Sequence, residues 1–182
     1  MMSIKQSIGA IAIGGAVSLF GFAAPALAEP PPGFPNMDSF APVDPGAYIQ
    51  HGGRANGDSV GFTLPGGRYG CGFVISGGTP ARLSCSGEIP GVPDDQVPAS
   101  NPPESCSIKR INWTGPGAPY SFGGFKGRCG EYQSNTPLLP AGKKIQYGPI
   151  TCAAEEGVTA CLDTTGGNHG FVLREDGNSI VF

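Results

Sequence analysis

The sequence predicts an all-β fold: a small disulfide-stapled antiparallel barrel or sandwich built from hairpins. Three observations predict it. Beyond residue 28 no stretch carries an apolar 3.6-residue period over three turns. Short β-prone runs recur instead, punctuated by Gly, Pro and Asp-Gly. Six cysteines, all downstream of a secretion-type leader, fall as three successive close pairs.

The chain opens with one charge, Lys5, and an apolar run over 8–27 broken only by Gly, Ser and Pro25. It closes on Ala26-Leu27-Ala28 before Glu29, an A-x-A cleavage pattern, so residues 1–28 read as a signal peptide. An uncleaved anchor is the alternative for a run of this length. Pro25 and the small residues at the site favour cleavage, and no cysteine at the cut supports a lipid anchor. After cleavage no membrane span remains.

Without Lys5, ten basic side chains stand against fourteen acidic ones, a net charge of about −4. No basic stripe exists to displace counterions, which argues against a nucleic-acid partner. Lys109-Arg110 and Lys143-Lys144 are isolated pairs, read as solvated surface charge.

Glycine and proline, 31 and 19 of 182 residues, fall in recognisable places. Residues 29–47 form an acidic, Pro-rich leader expected to be extended and poorly packed. Residues 48–182 form a single domain. Within it, 88–105 carries five prolines and reads as a surface excursion.

The strands follow in order. Residues 59–64 lead through Pro65-Gly66-Gly67 into 68–76, and Gly77-Gly78 turns the chain into 81–86. Residues 144–153 run to a turn at Glu155-Glu156-Gly157, and 158–163 return. Residues 170–174 and 178–182 flank Glu175-Asp176-Gly177, an Asp-Gly hairpin signal. Cys71 and Cys85 sit on the arms of one hairpin, Cys152 and Cys161 on the arms of another. Facing arms bring their Cβ atoms within bridging reach. Cys106 then pairs with Cys129, one choice among the 15 connectivities that six cysteines allow. Loops of these sizes restrict the unfolded chain by roughly 2.5–3.5 kcal/mol each in the chain-entropy account. A metal site is disfavoured because no C-x2-C spacing occurs.

Several blocks carry a family resemblance. Phe62-Thr63-Leu64-Pro65-Gly66-Gly67-Arg68-Tyr69-Gly70-Cys71 looks like an "F-x-S-P-S-G-N-I-x-C" opening, and Ala81-Arg82-Leu83-Ser84-Cys85 like a "V-R-C" return strand. Cys152 to Cys161, with Gly157-Val158-Thr159, is similar to a "C-x(n)-G-V-T-C" hairpin. Gly167-Asn168-His169-Gly170-Phe171-Val172-Leu173-Arg174 is similar to "G-H-G-F-x-L-S-R", and Ile180-Val181-Phe182 to its apolar end. On these blocks the chain resembles a family of small secreted actinobacterial proteins, well represented in mycobacteria, whose domain has no assigned function. The opening departs from the pattern at Leu64, Gly67 and Arg68, and one residue is inserted before His169. The resemblance implies a secreted β-domain and brings no catalytic residues with it.

Catalysis has one sharp candidate. Gly57-Asp58-Ser59-Val60-Gly61 is a literal G-x-S-x-G, His51-Gly52-Gly53 precedes it, and Asp163 and His169 follow in esterase order. The chemistry requires Ser59 on a strand-to-helix turn within reach of His169, yet a β-like run follows Ser59. Gly-Asp-Ser is also the nucleophile block of SGNH esterases, which space Asp and His three apart rather than six. Glu155-Glu156 and Glu175-Asp176 read as solvated turn tips, and His169 as an ordering residue of the last hairpin.

Binding has a better candidate. Trp113, Tyr120, Phe122 and Phe125 lie between Cys106 and Cys129 in a Gly- and Pro-rich segment, with Arg110 able to stack beside them. A core role is the competing reading for aromatics in a small β-domain. The resulting expectation is an exported, cofactor-free binding or interaction domain of the cell envelope or extracellular space, its partner an envelope glycan or protein. A secreted ester hydrolase using Ser59 is the alternative.

Overall fold

A computed structural model describes residues 29–52, 57–97, 105–128 and 135–182. The expected signal peptide, Gly53 and Cys129 lie outside the described residues. In chain order the strands are β1 (Ala41–Pro42), β2 (Ile49–Gln50), β3 (Asp58–Thr63), β4 (Tyr69–Ser76), β5 (Thr79–Gly87) and β6 (Ser105–Asn112). Then come β7 (Ser121–Arg128), β8 (Lys143–Tyr147), β9 (Ile150–Glu155), β10 (Val158–Asp163), β11 (His169–Arg174) and β12 (Ile180–Val181).

They form two six-stranded sheets, the all-β architecture expected. The first runs β2-β3-β4-β5-β6-β7, an antiparallel meander in sequence order. The second runs β1-β8-β9-β10-β11-β12, antiparallel except where β1 joins β8 in parallel. Each meander closes its pairing within itself, so the result is a sandwich, not a closed barrel. Val60, Phe62, Cys71, Phe73, Leu83, Cys85 and Ile111 from the first sheet share one buried cluster with Ile145, Cys152, Ala154, Cys161, Phe171 and Leu173 from the second.

The expected hairpin disulfides are present. Cys71 faces Cys85 across β4 and β5 with Cα atoms 4.0 Å apart, and Cys152 faces Cys161 across β9 and β10 at 4.1 Å. Directly opposed pairs of an antiparallel ladder are where Cβ atoms come closest. All four cysteines are buried, so each sheet presents one bridge to the shared core. Cys106 is also disulfide-bonded, while its expected partner Cys129 lies outside the described residues. Between Cys71 and Cys85, Gly77 and Gly78 form a two-residue turn with both φ values positive, at 59° and 80°. Glycine adopts that geometry without a Cβ clash. The turn's register alone would set Cys71 opposite Ser84, and the one-residue shift between Val74↔Ala81 and Gly72↔Ser84 brings it opposite Cys85.

Four segments differ from expectation. The run 144–153 is two strands, β8 and β9, because Gly148-Pro149 turns the chain between Tyr147 and Ile150. The Gly-rich middle, to which the sequence assigns no strand, forms the hairpin β6–β7, paired from Ser105↔Arg128 to Asn112↔Ser121. The Pro-rich stretch after β5 is packed over its described part. Ile89, Val92 and Val97 are buried, and the Ser179 hydroxyl donates to the Pro90 carbonyl at 2.8 Å.

The leader is docked as well. Ala153, Ala160 and Val172 are register partners across β9, β10 and β11, and all are buried. They alternate with Cys152, Cys161 and Phe171 of the shared core, so they face away from the first sheet. The leader crosses this outer face, with a cleft of about 430 Å³ between its residues 29–37 and Leu162 of β10. Ala41–Pro42 pairs with Lys143–Lys144, and Phe40 is buried. Lys144 Nζ donates to the Met37 carbonyl at 2.9 Å and Arg174 Nη2 to the Gly33 carbonyl at 2.6 Å. Phe34 meets Phe182 edge-on, with centroids 5.6 Å apart. These anchors stand on β8, β11 and the chain end, so the leader crosses the sheet. The alanines leave room for it to lie close.

Candidate functional site

With the leader lying across the outer face of the second sheet, the first sheet holds the more open one. Val60, Phe62, Tyr69, Cys71, Phe73, Leu83, Cys85 and Ile111 point into the core. The alternate positions therefore face out: Ser59 and Gly61 on β3, Gly70, Gly72 and Val74 on β4, Ser84 and Ser86 on β5, Arg110 on β6. A groove of about 270 Å³ runs over these strands, lined among others by Ser59, Gly72, Arg82, Ser84, Ser86 and Thr136. Its floor is flat because glycine is required there. A Cβ on Gly72 would stand 2.6 Å from the Val60 carbonyl oxygen.

Arg82 lines the groove, Arg110 stands level with its Ser86, and each meets an aromatic ring. The Arg82 guanidinium lies 5.9 Å from the Trp113 ring centroid, and that of Arg110 lies 5.6 Å from the Phe125 centroid. Both are cation–π distances. Phe125 is 37% exposed and Val74 36%. Arg82 is the one non-glycine with positive φ among the described residues, at 55°. It sits where the β4–β5 register shifts, between Gly72↔Ser84 and Val74↔Ala81, so two β5 residues oppose Phe73 alone. Such a bulge re-aims a side chain, here onto the groove.

The expected binding residues divide between the two faces. Arg110 and Phe125 are outside and meet. Phe122, paired with Ile111, points inward and is half-buried, as is Trp113, and both pack against the core. Tyr120 is corrected outright: it is 3% exposed, packs edge-on against Phe171, and donates its hydroxyl to Asp163 Oδ2 at 3.0 Å. The period of two explains the split, since positions 120 and 122 share one face and 125 takes the other. Burial, the Asp163 charge and the hydrogen bond all push the Tyr120 phenol above its ordinary pKa.

The structure does not assemble Ser59, Asp163 and His169. Ser59 is the second residue of β3, on the outer face of the first sheet, and strand rather than helix follows it. Asp163 ends β10 in the second sheet, its oxygens taken by the Tyr120 hydroxyl and the Thr165 amide. His169 pairs with Asp163 in the backbone ladder of that same sheet. A strand holding Ser59 flat cannot present it as a strained elbow would. The nearer histidine, His51, is exposed and meets Asp58 at 2.9 Å, making a surface pair.

A second cleft of about 280 Å³ opens at the sandwich rim between Arg68, Tyr69, Glu88, Lys109 and Glu175. Arg68 and Glu88 answer each other at 3.0 Å, both exposed, so its lining carries both signs of charge. The groove contrasts with it: among the described lining residues Arg82 alone is charged. Sequence reasoning missed Arg82, Ser84 and Ser86. The alternation Arg82-Leu83-Ser84-Cys85-Ser86 marks them as the outward face of a strand whose cysteine points in.

Among the described residues no helix is long and apolar enough to cross a membrane. No protein-family model, curated protein or solved structure matches the chain.

Proposed function

We propose that the protein is exported and acts, without catalysis, by binding glycan of the cell envelope or extracellular space on the open face of its first sheet. One observation carries this reading: the protein's own leader crosses the outer face of the second sheet, while the first presents a hydroxyl-lined groove with Arg82 in its lining and Arg110 beside it, level with Ser86. A glycine floor lets a sugar ring approach the backbone. Ser59, Ser84 and Ser86 match sugar hydroxyls, and an exposed aromatic such as Phe125 suits the C–H face of a pyranose. A protein partner fits less well, because the exposed large apolar side chains among the described residues are Val74, Phe125 and Leu138 alone, too few for the apolar centre of a protein interface. Export is supported by the cleavage-type leader, the even cysteine count and the disulfides, since such bonds persist in oxidising compartments. The resemblance to secreted actinobacterial proteins points the same way.

The test is equilibrium binding of residues 29–182 to arrayed envelope polysaccharides. Saturable binding is expected, weakened tenfold or more by Arg110→Ala and by Phe125→Ala and untouched by Leu162→Ala on the other sheet. Absence of saturable binding, or equal affinity in all four proteins, contradicts the reading.

A further inference from the structure

Arg82 holds a backbone conformation that the other described residues leave to glycine. Among the described residues sixteen glycines take positive φ, and Arg82 is the one residue with a side chain that does so. A left-handed backbone disfavours any L side chain, so arginine holds this bulge against local preference. Strain of this kind persists where the surrounding structure enforces it, and it clusters at functional sites. Here the strained residue supplies the one charge that lines the groove. Arg110, also cationic and exposed, stands level with Ser86, four residues along β5 and roughly 13 Å away. In a chain whose acidic residues outnumber its basic ones, this strip carries arginine and no carboxylate among its described lining.

We infer that the ligand of the open face is an anionic glycan, a chain of sugars bearing carboxylate or phosphate groups, and that Arg82 is its specificity-determining residue. The inference rests on the glycan-binding reading above and narrows it. The guanidinium fork matches both anions in bidentate geometry. Arg82 lies 5.9 Å from the Trp113 ring centroid, within cation–π range, and the serines between the two arginines meet the intervening hydroxyls. The bulge sets the position of the cation, which is why arginine occupies it and glycine does not.

The experiment uses residues 29–182 as wild type, Arg82→Ala and Arg82→Gly, each with a melting curve. Three probes are titrated: hyaluronan oligosaccharides for carboxylate, poly(glycerol phosphate) for phosphate, and dextran as the neutral control. The wild type is expected to bind at least one anionic polymer at least tenfold more tightly than dextran, and less tightly as salt rises. Both variants should lose at least tenfold in that affinity. Arg82→Gly should melt no lower than the wild type and above Arg82→Ala, because it relieves the backbone. Dextran bound as well as the anionic polymers, or variants that bind like the wild type, would overturn the inference and leave glycan binding standing. An Arg82→Gly protein that melts below the wild type would assign Arg82 to packing on Trp113, which also overturns it. If none of the three polymers binds, both readings fall.

Discussion

The Tyr120 hydroxyl donates a 3.0 Å hydrogen bond to Asp163 Oδ2 and so ties the start of the β7 hairpin arm in one sheet to the end of β10 in the other. Both residues are buried, and the second carboxylate oxygen accepts from the Thr165 amide at 2.8 Å. The contact is a strut between the two layers, with the Tyr120 ring packed on Phe171.

Tyr120→Phe keeps that ring packing and removes one donor from a buried carboxylate. The expected loss is about 1–3 kcal/mol of unfolding free energy, read from the denaturant midpoint at neutral pH. A loss of only a few tenths would mean that water replaces the phenol at Asp163.

The same contact predicts an alkaline limit. The folded phenol is raised well above the usual tyrosine pKa by burial and by the Asp163 charge. It keeps its proton where the unfolded chain has lost it, so the folded state binds more protons. Its stabilisation is fully present below about pH 10 and declines as pH rises beyond that. Tyr69, raised chiefly by burial, adds to the same trend. Melting temperatures measured from pH 8 to 11.5 should fall above pH 10, and less steeply in Tyr120→Phe.

The docked leader predicts that its apolar anchors are part of the fold. Phe40→Ala should cost about 3 kcal/mol, as for a buried aromatic truncated to alanine. Starting the chain at residue 43 should bare Ala153, Ala160 and Val172 and make the protein self-associate. Sedimentation of the truncated chain measures this, and a stable monomer would show that the leader is dispensable.

Replacing both Cys71 and Cys85 by alanine removes a bridge that closes a 14-residue separation and packs in the core. A loss of about 3 kcal/mol is expected by chemical denaturation. The paired change at Cys152 and Cys161 should cost slightly less for its shorter separation of 9.

These particulars also mark what the sequence makes legible. Cys71 and Cys85 are readable as a facing pair because Gly77-Gly78 dictates a tight turn between their strands, although the one-residue shift that sets them directly opposite carries no sequence signal. The β6–β7 hairpin is not readable that way. Ile108 and Ile111 lie three apart, as do Phe122 and Phe125, so each pair splits between opposite faces and no alternation shows. Tyr120 and Phe125 look equivalent in one Gly-rich run until the pairing separates them. The leader reads as loose because it is acidic and rich in proline. Its docking depends on Ala153 and Ala160, more than a hundred residues away, being small. Arg82 carries no sequence signal of strain, since a left-handed φ in a non-glycine residue arises from the register shift between two strands.

The central claim is that ligand is held on the open face of the first sheet. Residue-resolved amide chemical shifts of isotope-labelled residues 29–182, followed during titration with an envelope polysaccharide, test it most directly. The account predicts saturable shifts at Gly72, Arg82, Ser84, Ser86, Arg110 and Phe125, with Ala153, Ala160, Leu162 and Val172 unmoved. Shifts confined to the second sheet or the rim cleft at Arg68 and Glu175, or no saturable shifts at all, would contradict it.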